Sequence, residues 1–223
     1  MSEWWTYTLS DFLMFAPRTY TRLAELYNRD LWPLHALALS LGIAALLLAS
    51  DGKRWKGRAV SAILPAAWAF VAWAFHHQRY ATINWVADYF AIAFAMQAVL
   101  MLMVGVVAGK LMFRYSSHPV ACFGLAIALF GVLAYPMGSI VEGRGIASSE
   151  VFGVMPDPTV LTTLGLLLLV PGRTTWLLLV IPLLWCAVSG ATLWTMGAAE
   201  GPVMIGFGAL ALVMRLWKVR GRG

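Results

Sequence analysis

Charge is scarce in this chain: 16 Lys and Arg and 10 Asp and Glu among 223 residues amount to 12%, where soluble domains carry about 25%. A folded surface in water needs far more polar groups than that, so a soluble globular reading is excluded. Cysteine is almost absent. Cys122 and Cys186 both fall inside apolar stretches with no C-x-x-C spacing, which excludes a disulfide framework and a thiolate zinc site and leaves packing roles. Only four histidines occur, too few for two levels of membrane haem, although His35 with His76 or His77 would suffice for one. No lysine precedes Lys218 in the last apolar run, so a retinal Schiff base has no donor there. Phosphate-loop, H-E-x-x-H and G-x-S-x-G patterns are missing as well.

What is present is apolar: 61% of the residues are hydrophobic. Hydrocarbon is therefore the solvent for most of the chain, and at about 20 apolar residues per crossing 223 residues hold at most about seven spans. The spans are expected at 31–50, 58–77, 82–109, 119–137, 159–170, 174–196 and 202–217. The net charge of +6 is the orientation signal of an inner-membrane protein and not a nucleic-acid footprint. Basic loops alternate with non-basic ones: Lys53, Arg54, Lys56 and Arg58 fall after the first span, Lys110 and Arg114 after the third, Arg173 after the fifth, and Arg215, Lys218, Arg220 and Arg222 at the end. This pattern places the N-terminus outside and the C-terminus in the cytoplasm. The start, Met-Ser-Glu-Trp-Trp, has neither a basic nor an apolar leader region, so the first span is expected to direct its own insertion.

Residues 1–30 are mixed in character. Trp4, Trp5, Phe12, Leu13 and Phe15 precede Pro17, and between Arg18 and Arg29 the residues Tyr20, Leu23, Ala24 and Tyr27 recur at helical spacing with Arg18, Arg22, Glu25 and Arg29 on other faces. Such a stripe predicts an amphipathic helix lying in the membrane interface. The expected fold is thus an all-α integral membrane protein. An interfacial N-terminal segment (1–30) leads into seven transmembrane helices (31–217), followed by a basic cytoplasmic tail (218–223). The fifth segment is the exception. Its 12 uninterrupted residues rise only about 18 Å, and the Pro-containing run 151–158 before it is expected to enter without helix, which membrane-depth backbone tolerates only where protein or a wet cavity satisfies it.

Polar groups converge on the outer side. His35 lies about one turn into the first span, His76 and His77 end the second, and Asn84 and Asp88 open the third with i,i+4 spacing on one face. His76 and His77 point about 100° apart, so one of them faces inward. His35, His76, His77 and Asp88 could hold Zn²⁺ or Cu²⁺ with an open position, and Asn84, Asp157 and Thr159 would extend the site toward a ligand. Ionisable groups at such depth mark function unless they are paired or hydrated; a His–Asp bond that merely locks two helices is the competing reading. Glu142, Glu150 and Asp157 on the long outer loop read foremost as a solvated acidic loop. Gln97, half a turn from Asp88, is expected to make an interhelical hydrogen bond. Trp4, Trp5, Trp32, Trp55, Trp85, Trp194 and Trp217 fall at the interfaces as an aromatic belt.

Several stretches resemble a family of small multi-pass bacterial inner-membrane proteins known only as a domain of unknown function. They are Phe12-Leu13 with Phe15 and Pro17, Tyr27-Asn28 with Trp32-Pro33, His76 followed by Ile83-Asn84, and Phe152-Gly153 with Pro156, Pro158-Thr159 and Leu164-Gly165. The resemblance implies that His76 is the inward histidine, and it supplies no activity. Seven-span zinc hydrolases of the alkaline ceramidase type are similar in architecture, but the last span here lacks their H-x-x-x-H pair. The expected function is binding, extending to transport, of a small polar solute or metal ion through the outer His/Asp/Asn cluster. A zinc-dependent hydrolase and a structural subunit of a membrane complex are the alternatives. The expected partners are the bilayer, the solute or ion, and a second copy or a larger membrane complex; nucleic acid is excluded.

Overall fold

The computed structural model describes residues 14–172 and 175–220, with side chains through Trp217. Trp4, Trp5, Phe12, Leu13, Arg173 and the side chains of the basic tail lie outside the described residues. Among those described, the chain is all helix and turn, with no strand: α1 (Pro17–Leu31), α2 (Leu34–Leu48), α3 (Arg54–Phe70), α4 (Ala87–Met101), α5 (Pro119–Leu129), α6 (Gly138–Val141), α7 (Pro156–Leu169), α8 (Thr175–Thr195) and α9 (Glu200–Arg220). Wider π-type turns continue α3, α4 and α5 through Val71–His77, Leu102–Val107 and Phe130–Ala134.

Every expected span appears as a helix, but not every helix is long enough to cross. Five segments pass by length and hydropathy, Arg54–Thr82, Ala87–Val107, Pro119–Val141, Thr175–Thr195 and Glu200–Trp217, and a sixth is counted if the bent pair α1 and α2 is one span. Alone, α2 with 15 residues rises about 22 Å and α7 with 14 about 21 Å, both short of a hydrocarbon core of roughly 30 Å. Helix α9 continues to Arg220, three residues into the stretch expected as a tail. The outside of the bundle is apolar: Leu47, Ile92, Val99, Leu133, Leu184 and Val213 are all exposed. In water such a surface would aggregate; facing lipid tails it costs nothing.

Helix α1 turns 91° from α2, so it lies along the bundle end rather than across it. Its buried stripe is Tyr20, Ala24 and Tyr27, the face expected from periodicity. Asp30, in the last turn of α1, pairs with Arg79.

The centre of the molecule is α7. All 14 of its residues are buried, enclosed by α3, α5, α8 and α9. A helix apolar on every side must be surrounded on every side, and here protein, not lipid, does the surrounding. Helices α5 and α7 approach so closely at Gly124 and Gly165 that a Cβ on Gly165 would lie 2.4 Å from the Gly124 carbonyl oxygen and 2.5 Å from the Ala128 nitrogen. Trp68 Nε1 of α3 donates to Thr163 Oγ1 at 2.8 Å, and Gln97 Nε2 of α4 donates to the Leu178 carbonyl of α8 at 2.8 Å, the interhelical bond expected of it. At the far end Arg215, 1% exposed, donates to the Val170 and Gly172 carbonyls just past the end of α7.

Gly165→Ala is expected to destabilise the fold by about 1–3 kcal/mol through overpacking. Gly206→Ala, whose Cβ would meet nothing within 4 Å, is the control and should leave the melting temperature in detergent unchanged or raise it.

Candidate functional site

The chain reaches α7 by going inward without helix. From residue 148 to 170 every residue is buried except the half-buried Val151, and 149–155 is turn and extended backbone. Each exposed peptide group there needs a protein partner. Helix α1 provides several: Asn28 Nδ2 donates to the Ala147 and Ser149 carbonyls at 2.9 and 2.8 Å, and the Tyr27 hydroxyl donates to the Val154 carbonyl at 3.2 Å. Thr159 Oγ1 accepts from the Gly153 N–H at 2.8 Å and donates to the Met155 carbonyl at 2.7 Å. The helix then starts at Pro156, three residues before the expected boundary, because a proline in the first turn forfeits no helical bond.

Two carboxyls are carried in with this segment. Asp157 is 1% and Glu150 6% exposed, so the solvated acidic loop expected for them is not what forms. Asp157 accepts from the Tyr135 hydroxyl at 2.9 Å, the Trp185 Nε1 at 2.7 Å and the Ser189 hydroxyl at 2.8 Å. Three donors from two other segments satisfy both of its oxygens, the coordination that suits an ionised carboxylate. Ser189 lies six residues before the end of α8, so this contact sits about 9 Å inside the bundle end. Glu150 is treated differently. Its Oε1 accepts from the Tyr20 hydroxyl at 3.1 Å, while its buried Oε2 has no partner. Burial above all, then the neighbouring Asp157 and Glu200 carboxyls, hold the Glu150 carboxyl well above its usual range, against the opposing pull of Arg144 and the Tyr20 hydroxyl. Beyond it Arg144 pairs with Glu200 and, at 2.9 Å, with Glu142, leading to the bundle end. A cavity of about 20 Å³ between Tyr20, Tyr80, Pro156, Trp185 and Ser189 has room for one water.

The residues expected to converge do so only in part. His77 Nδ1 meets Asp88 Oδ1 at 2.8 Å, with both side chains about half exposed. His76 is the inward one, 0% exposed, caged by Phe94, Trp185, Phe75, Phe90 and Tyr80 with ring centroids at 4.5–6.1 Å, and neither ring nitrogen has a partner. His35 Nε2 bonds Asn28 Oδ1 at 3.0 Å. Both Asn28 amide hydrogens go to carbonyls, so its Oδ1 is an acceptor and Nε2 of His35 carries the proton. Asn84 precedes α4, and its Oδ1 accepts from the Val86 N–H at 3.0 Å. Among the described residues no group of three or more His, Cys, Asp or Glu is arranged to hold a metal ion, so the set His35, His76, His77 and Asp88 is not assembled. Cys186 is buried as expected of a packing residue, whereas Cys122 is exposed.

Sequence reasoning did not reach Tyr20, Tyr135, Trp185 and Ser189 as a set. One signal was available: Glu150 and Asp157 bracket the apolar run Val151–Met155, which a water-filled loop has no reason to contain.

The sequence pattern of one family matches residues 18–223. The chain belongs to this family of unknown function, DUF6064. No curated protein and no solved structure matches it. DUF6064 membership agrees with the resemblance carried by Tyr27-Asn28, His76 and Pro158-Thr159, and it assigns no chemistry to the buried acids.

Asp157→Ala strands three buried donors at about 1–3 kcal/mol each, so it should abolish recovery of folded protein, with Asp157→Asn losing less. Glu150 gives a pH signature. A folded-state value raised above the usual 4.5 means stability that is full below that value and lost as pH rises through the folded one. The melting temperature of the wild type should therefore fall from mildly acidic toward alkaline pH, and Glu150→Gln should flatten that slope.

Proposed function

We propose that this DUF6064 protein is a bacterial inner-membrane protein with α2, α3, α4, α5, α7, α8 and α9 embedded in the bilayer, N-terminus outside and C-terminus cytoplasmic, and that the small polar solute it binds is a proton. The observation that carries this reading is the contrast between two carboxyls buried in one place: Asp157 with three donors, Glu150 with a bare oxygen. Environments that separate two neighbouring acids in this way assign a fixed anion and an exchangeable proton site. In that division Asp157 is the anion, Glu150 takes up and releases the proton, Tyr20 orients it, and Arg144 with Glu200 and Glu142 forms the approach. A cavity for one water admits a proton or hydronium, and larger solutes do not fit. The orientation is supported by the meeting of two basic segments at one end of the bundle, where Asp51 bridges to Arg114, with α1 and Glu150 at the other. Transport is the extension of this reading. It requires a continuation past Asp157, and His76, which shares Trp185 as a neighbour with Asp157, is the group placed to provide one.

The test is infrared spectroscopy with proton-flux measurement on the reconstituted chain. A protonated-carboxyl band present at neutral pH, shifted in heavy water and missing from Glu150→Gln, is expected, together with faster decay of a pH step across vesicles than that variant shows. A wild-type spectrum with no such band would sink the assignment of Glu150, and a band without flux would limit the protein to proton binding.

A further inference from the structure

A cleft of about 820 Å³ opens beneath α1, between the first turns of α2 and the segment 136–151. Its polarity runs in one direction. Arg22, Arg29 and Trp32 form the rim, while Leu39, Met137 and Ile140 form the floor. Because α1 lies at 91° to α2, an α2 embedded along the bilayer normal places the rim at headgroup depth and the floor among acyl chains. With Glu25 the rim carries three charges, two positive and one negative. Arg22 is held by Glu25 at 2.8 Å, and Arg29 has no acidic partner among the described residues. Of the lining residues Met137 is 53% and Ile146 77% exposed, apolar surface that an acyl chain would cover. The slightly larger cleft between α3 and α4, about 880 Å³, is lined chiefly by alanines and ends at the already paired His77 and Asp88, so nothing in it selects a headgroup.

We infer that the cleft under α1 binds one anionic phospholipid, its phosphodiester on Arg22 and Arg29 and an acyl chain along Leu39 and Ile140. Arginine suits a phosphodiester through its planar fork of donors, and Trp32 is an amphipathic ring of the kind found at headgroup level. The occupant also explains the position of α1. A helix whose own hydrogen bonds hold the entry to α7 is fastened from above by a charged lipid, so the lipid and the buried segment are linked through Asn28 and Tyr27 without sharing a contact with Glu150.

Native mass spectrometry of the detergent-purified full chain tests this, with titration by phosphatidylglycerol, by phosphatidylcholine of the same chains and by glycerol phosphate alone. One phosphatidylglycerol per chain is expected. Its preference over phosphatidylcholine should be roughly 5-fold, the contribution of one net positive charge near an anionic group, and should vanish in Arg22→Gln/Arg29→Gln. Ile140→Trp, which fills the floor and leaves the charges, should weaken both lipids, and it carries the test if the double variant does not fold. Equal binding of the two lipids by the wild type would overturn the inference. So would a preference that survives the double variant, glycerol phosphate binding as well as the lipid, or a chain dimer that Ile140→Trp disrupts without any lipid dependence.

Discussion

Backbone that leaves water before it becomes helical must find every hydrogen bond inside the protein, and this one requirement organises the molecule. The segment 149–155 enters the bundle as turn and extended chain and ends in α7, a helix with no exposed residue. Its peptide groups are met by Asn28, Tyr27 and Thr159. Helix α1 is therefore structural: without it the entry carries unsatisfied carbonyls, each costly in an apolar surrounding. At the opposite end Arg215 serves the carbonyls that follow α7, a cation placed where a helix C-terminus is negative.

The same descent creates the chemistry. Two acids that would be solvated in a surface loop are drawn into a low-dielectric layer together. Asp157 becomes the point where α7, α8 and the end of the α5 segment are tied, through Ser189, Trp185 and Tyr135. Glu150, one step nearer the bundle end, has a single hydroxyl donor and a second oxygen with none. In the proposed function it is this difference in the number of donors, not residue type, that divides a structural carboxyl from an exchangeable one.

Much of the architecture was legible from hydropathy and periodicity. The stripe Tyr20, Leu23, Ala24 and Tyr27 specified the inner face of α1, Gln97 was marked for an interhelical hydrogen bond by lying half a turn from Asp88, and the adjacent pair His76 and His77 had to split between inside and outside. The number of full crossings was less legible, because α2 and α7 are apolar but short, and a short helix can be embedded by neighbours instead of by its own length. The expected cluster forms only in part. His35, Asn84 and Asp88 lie at the ends of spans at similar depth, but depth without azimuth cannot show that His35 turns to Asn28, that Asn84 caps a turn, or that Asp88 meets the outward His77.

By itself the sequence determined the apolar character of the chain, the helical segments and the buried stripe of the first helix, because those follow from local composition and spacing along one chain. Only the tertiary structure decided which polar groups share a layer. Tyr20, Tyr135, Glu150, Asp157, Trp185 and Ser189 come from five separate segments, and a carboxyl flanked by apolar residues reads alike in a loop or in a core. The difference lies in whether partners from distant segments arrive to satisfy it, and that depends on how the helices pack around α7.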